Sequence, residues 1–171
     1  MKFTSRKKVY PWELKKKKES KWKPKGRNLN IKDAGATPKE SVILSRRVYT
    51  RIMLEVKKDL PNESCGLISG LENRCLTVWP MQNMEATPYS FAINPDEQEL
   101  IISRMLGRNE SFKGIYHSHP FGRPVPSKDD VAYSIYPDVY YFIASVGGRE
   151  EELRCYKINN GKVKHIEILI K

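Results

Sequence analysis

Two of the three histidines in this 171-residue chain, His117 and His119, stand one residue apart. Residues i and i+2 of an extended strand point to the same face, so both imidazoles can converge on one ion, and imidazole suits zinc. Pro120 follows at once; it cannot donate to a strand ladder, so the chain must turn there into a loop. Asp130 lies beyond that loop, in the first turn of a helix opened by Ser127. Two histidines and one acid leave one of zinc's four positions to water, which is the arrangement of a hydrolytic site rather than a structural one. Such a site needs a general base outside the ligand set. Glu63 is the candidate, placed between a helix end and a strand start in Pro61-Asn62-Glu63-Ser64-Cys65-Gly66. Ser127 also reads as a helix N-cap, with Asp130 three residues on completing something like a capping box. Cys65 has no unengaged histidine in its sequence context to activate it, and its expected role is a small buried hydrophobe. His165 is expected to be an ordinary hydrogen-bonded histidine.

The elements that must position these residues follow from periodicity. Val42-Ile43-Leu44 reads as a short strand, and Val48, Ile52, Val56 and Leu60 recur every four residues on one face of a helix over 45–60, which Pro61 stops. Cys65 to Gly70 and Cys75 to Trp79 read as neighbouring strands, and Tyr89 to Ile93 as another. Asn94-Pro95-Asp96-Glu97 is a helix start, with an apolar face of Leu100, Ile101, Met105 and Leu106. Phe112 to Ser118 is the strand at whose end the two histidines stand. A Pro/Gly-rich loop runs from His119 to Pro126, and a short helix from Ser127 to about Ile135. Strands over Val139–Val146, Leu153–Ile158 and Val163–Ile170 close the set, the last two joined by the hairpin signal Asn159-Asn160-Gly161.

His117-Ser118-His119, seven residues, then Ser127-Lys128-Asp129-Asp130 resembles the JAMM signature of the MPN (JAB1/MPN/Mov34) metalloproteases. Glu63 in P-N-E-S-C-G matches the upstream acidic element as it stands in compact prokaryotic members. The likeness covers most of residues 41–171 and none of the chain before them. It implies an α/β fold of MPN/JAB-like (cytidine-deaminase-like) type: a mixed sheet flanked by two long helices and one short helix. It implies that His117, His119 and Asp130 bind one Zn²⁺, that Glu63 moves protons in catalysis, and that Ser127 hydrogen-bonds the developing oxyanion. The activity it implies is a zinc-dependent metallopeptidase or isopeptidase. The bond cut would be a peptide or isopeptide bond at the C-terminal tail of a ubiquitin-like protein, for example a sulfur carrier. Only Val131 to Pro137 separate Asp130 from the next strand region, which leaves no room for the long insertions of linkage-selective eukaryotic members. The tail is expected to be extended and to pair against a sheet edge.

The charge stands apart from this chemistry. Of 31 Lys+Arg and 20 Asp+Glu, residues 1–40 hold 14 basic and 4 acidic, whereas residues 41–171 hold 17 and 16. Two domains are therefore expected: a basic, flexible N-terminal arm over 1–40 and a near-neutral JAMM/MPN body over 41–171. The arm is suited to nucleic acid or an acidic partner. The competing reading is a non-catalytic MPN binding module whose arm makes that contact. No stretch approaches the ~20 apolar residues of a membrane span, and no apolar run follows the basic start as in a signal peptide. With three cysteines only, the expected location is the cytoplasm.

Overall fold

The computed structural model describes residues 40–148 and 150–171. The expected basic arm, apart from Glu40, lies outside the described residues. Chain order within them is β1 (Ser41–Leu44), α1 (Arg46–Lys58), β2 (Cys65–Leu71), β3 (Arg74–Met81), α2 (Pro95–Gly107), β4 (Ser111–Ser118), α3 (Lys128–Ala132), β5 (Tyr140–Ser145), β6 (Glu152–Asn159) and β7 (Lys162–Ile170).

The strands lie in the order β1-β3-β2-β4-β5-β6-β7, and β1 also pairs with β7, so the mixed sheet closes on itself. The β1–β3, β1–β7 and β4–β5 pairs are parallel and the others antiparallel. Closure gives every strand a neighbour on both sides along at least part of its length. Its shortest seam is β1–β3, with two residue pairs, Ile43↔Arg74 and Leu44↔Cys75.

Side chains alternate across the sheet and build two cores. Ile68 of β2, Tyr116 of β4 and Phe142 of β5 pack on one face with Val48, Ile52 and Val56 of α1. Leu67, Ile115 and Ile143, one residue away in each strand, pack on the other face with Ile101 and Met105 of α2. Burying a residue such as Ile52 contributes about 1.5–3 kcal/mol. Ser45 caps α1 by accepting from the Val48 N–H at 3.2 Å, and Lys57 and Lys58 sit favourably in its last turn. The Asn160-Gly161 turn has φ of 48° and 75°, the left-handed pair that its sequence predicted.

Four sequence expectations need correction. The helix α1 ends at Lys58 with Asp59 as cap, so Leu60 leaves the helical face and is 44% exposed. In α2 Ile101 and Met105, an i,i+4 pair, are buried in the core and Ile102 packs partly against it; Leu100 and Leu106 point out and are more than half exposed. The helix α3 stops at Ala132, short of Ile135. Tyr89 to Ile93 is not a strand, because it folds back on Asn83 instead of joining a ladder: the Met84 N–H meets the Ala92 carbonyl at 2.9 Å and the Ala92 N–H meets Asn83 Oδ1 at 3.2 Å.

Candidate active site

The strand β4 runs between β2 and β5, and its pairing with β5 is parallel. A parallel pair needs a crossover from the end of one strand back to the start of the next. That crossover, residues 119–139, carries His119, Ser127 and Asp130, while His117 is on β4 itself. Cys65 pairs with His117, so continuing the antiparallel register places Glu63 opposite His119. The junction is fastened twice: the Ser118 N–H donates to the Ser64 carbonyl at 3.0 Å, and the Ser64 N–H donates to Ser118 Oγ at 2.9 Å.

The structure brings His117, His119 and Asp130 together. Their Nε2 atoms are 3.1 Å apart, His117 Nε2 is 3.2 Å from Asp130 Oδ1, and His119 Nε2 is 3.3 Å from Asp130 Oδ2. Zinc bonds of ~2.0–2.1 Å in a tetrahedron set ligand atoms roughly 3.3 Å apart, so the donor set and its spacing fit that ion. His119 Nδ1 is 2.9 Å from the Arg123 carbonyl; an N–H there leaves Nε2 as the lone-pair donor. His117 is fully buried and stacked on Phe91, ring centroids 4.7 Å apart and 22° between planes. Asp130 Oδ2 accepts from the Ser127 N–H at 2.7 Å while Ser127 Oγ accepts from the Asp130 N–H at 3.1 Å, closing the expected capping box. Burial alone would raise the Asp130 pKa, but its contacts with His117 and His119 hold the carboxyl far below the usual range. Burial alone would lower His119, yet Asp130 and the Arg123 carbonyl raise it.

Glu63 is 5% exposed, and burial pushes its carboxyl up to about 7, with attraction to His119 opposing and Asp130 and Glu85 adding. A cavity of about 400 Å³ between α1 and the segment after β3 reaches it. A carboxyl balanced near neutrality can both accept and return a proton. Cys65 is fully buried and its thiol is pushed up to about 12, which removes it as a nucleophile. His165 lies outside the cluster, edge-on to Tyr156.

Sequence reasoning missed the groups that hold the loop after His119. Ser145 Oγ donates to the Gly122 carbonyl at 2.6 Å and the Tyr156 hydroxyl donates to the Pro124 carbonyl at 2.7 Å. Gly147 packs so closely that a Cβ would lie 1.9 Å from the Pro120 carbonyl oxygen. Gly147→Ala should therefore displace the loop that orients His119. We expect a loss of about 1–3 kcal/mol in urea unfolding and weaker zinc retention against a chelator; unchanged values would show that the loop yields freely.

Comparison with known proteins places the chain among relatives. Residues 45–159 match the family described as prokaryotic homologs of the JAB domain. The CysO-cysteine peptidase of Mycobacterium tuberculosis is 30% identical over 125 residues, 71% of this chain and 86% of that protein. A desampylase of Pyrococcus furiosus is 27% identical over 131 residues, 76% and 91% of the two chains. Among solved structures, a Desulfitobacterium hafniense protein is similar with a TM-score of 0.71 at 26% identity, covering 76% of this chain and 92% of its own. A JAB1/MPN domain protein from Archaeoglobus fulgidus shares the fold, with a TM-score of 0.52 at 21% identity over 75% of this chain and 98% of that one.

Proposed function

The chain belongs to the prokaryotic JAB branch of the JAMM/MPN family, and on that premise we propose that it is a zinc-dependent metallopeptidase or isopeptidase. Its substrate is the C-terminal tail of a ubiquitin-like protein such as a sulfur carrier. One observation carries the reading: His117, His119 and Asp130 converge within 3.3 Å of one another, with Glu63 opposite His119 in the continued register. Relatives named CysO-cysteine peptidase and desampylase support a hydrolase of this substrate class.

His117 and His119 would hold zinc through Nε2, and Asp130 through its carboxylate. When bound, zinc supplies Lewis acidity, at the scissile carbonyl and at water. Glu63 takes the proton of the attacking water and returns it to the leaving amine, two transfers that its near-neutral carboxyl suits. Ser127 Oγ already accepts from the Asp130 N–H, so its own hydrogen remains to donate to the carbonyl oxygen as charge develops there. Arg123 contributes its backbone, which keeps His119 in one tautomer.

The residues before Glu40 serve in this proposal as a separate basic segment that recruits an acidic partner or nucleic acid. No helix among the described residues is long and apolar enough to cross a membrane.

The test is cleavage of ubiquitin-like carriers extended at their C-termini by the purified full chain, with its metal content measured. Release of the extension, one zinc per chain, and loss of turnover with a chelator that zinc reverses are the expected results. A metal-free protein that cleaves no carrier and binds RNA tightly would overturn the reading in favour of a binding module.

A further inference from the structure

Glu63 stands just outside β2, and β4 opposite it ends at Ser118. No strand ladder is therefore left to fix the backbone of this residue. The loop over 82–94, between β3 and α2, does so instead. The Glu63 N–H donates to the Thr87 carbonyl at 2.8 Å, and the Glu63 carbonyl accepts from Asn83 Nδ2 at 3.0 Å. The Asn83 amide makes three further bonds: Nδ2 donates to the Ser90 carbonyl at 3.0 Å, and Oδ1 accepts from the N–H groups of Glu85 at 3.0 Å and Ala92 at 3.2 Å. Two donors and two lone pairs are thereby all engaged, the full capacity of a side-chain amide. Ser90 and Ala92 flank Phe91, the ring stacked on His117. One side chain thus ties the entry to β2, where Glu63 sits, to the segment that packs against a metal-ligand candidate.

We propose that Asn83 is a positioning residue for hydrolysis: it fixes the backbone of Glu63 opposite His119 and ties it to the segment packed on His117. This rests on the reading that Glu63 carries the proton. Asn83 touches neither substrate nor metal and acts through Glu63, whose carboxyl must meet water at one position. A displacement of ~1 Å there can cost on the order of 10²-fold in rate.

The test compares Asn83→Asp and Asn83→Ala with Ile166→Val, all as full-length, zinc-loaded chains beside wild type and Glu63→Gln. Asn83→Asp keeps the two acceptor positions and loses both donors. Ile166→Val lowers stability from the core of β7, where Ile166 is fully buried. It leaves the Thr87 carbonyl and the Asn83 amide in place. Both Asn83 variants should lose about 10–100-fold in kcat with KM within about threefold and zinc content unchanged. Ile166→Val should keep kcat within about threefold despite a lower Tm. Backbone hydrogen exchange at Glu63 should quicken at least ~10-fold in the Asn83 variants and by less in Ile166→Val. Wild-type kcat or unchanged Glu63 exchange in Asn83→Asp would overturn the proposal, as would an equal kcat loss in Ile166→Val and Asn83→Ala. An active wild type, a dead Glu63→Gln and a fully active Asn83→Asp would sink the positioning role alone. A wild type that cleaves nothing while Glu63 exchange responds to Asn83 would sink the peptidase reading and leave the anchoring in place.

Discussion

Glu63→Gln is expected to lower kcat by about 10²–10⁴-fold with zinc content unchanged and KM near the wild-type value. The amide matches the carboxyl in shape, so the Asn83 and Thr87 contacts, which involve only the Glu63 backbone, survive the change. What is lost is the capacity to take and return a proton. A residual rate above one tenth of wild type would show that another group moves the proton. The same variant carries a second, independent signature in protein stripped of metal. Burial raises the folded-state pKa of Glu63 from its ordinary 4.5 to about 7. The folded state therefore holds the proton more tightly than the unfolded chain, and the associated stability is complete below pH 4.5 and lost as pH rises through 7. Glutamine has no charge to bury. The stability of Glu63→Gln relative to wild type should be near zero at the acid end. It should grow with pH and level off above neutrality at about 1–3 kcal/mol in favour of the variant. Urea titrations at the two ends of that window check the sign, and a variant less stable at alkaline pH would contradict it.

His119→Ala is expected to abolish zinc retention and turnover together, with kcat below about one thousandth of wild type, while leaving the fold intact. Three donors become two, and an ion held by one imidazole and one carboxylate should exchange readily with a mild chelator. The fold survives because the His119 side chain is 14% exposed, and beyond the ligand cluster its one hydrogen-bond partner is the Arg123 carbonyl. The metal-free variant should melt within about 2 °C of metal-free wild type. His117→Ala should differ. His117 is 2% exposed and stacked on Phe91, so its removal opens space in the core as well as removing a donor, and about 2–4 kcal/mol of stability should go with the metal. Metal analysis by mass spectrometry and melting curves of both variants separate the two cases. Stoichiometric zinc in His119→Ala would remove His119 from the ligand set.

The parts of the site that sequence makes legible are those set by local rules. β4 carries His117 to its end, His119 follows it at the start of the loop that Pro120 enforces, and a capping box fixes Ser127 against Asp130; each depends on residues within a few positions of one another. The core face of α1 and the Asn160-Gly161 turn are local in the same sense. Groups that act across the chain were not legible. Tyr89 to Ile93 has strand composition, yet Asn83, some nine positions earlier, engages its backbone with a side-chain amide and holds it as a loop. Nothing in the spacing of Asn83 to Glu63 announces a bond over 20 positions. Leu100 and Leu106 satisfy helical periodicity as well as Ile101 and Met105 do. Which of them faces the sheet is decided by how α2 lies on it, not by the helix.

The donor cluster has one thermodynamic consequence. Each of its members is oriented by the protein's own groups: Asp130 by the Ser127 N–H, His119 by the Arg123 carbonyl, His117 by the face of Phe91. The conformational entropy of assembling the donors is therefore met during folding and not at ion capture. Such a centre differs in kind from a zinc finger, whose chain acquires its shape with the ion. An ion bound by these donors would add stability by mass action in proportion to ln(1 + [L]/Kd). Availability of metal in the surroundings would then govern how many molecules are competent more than how many are folded.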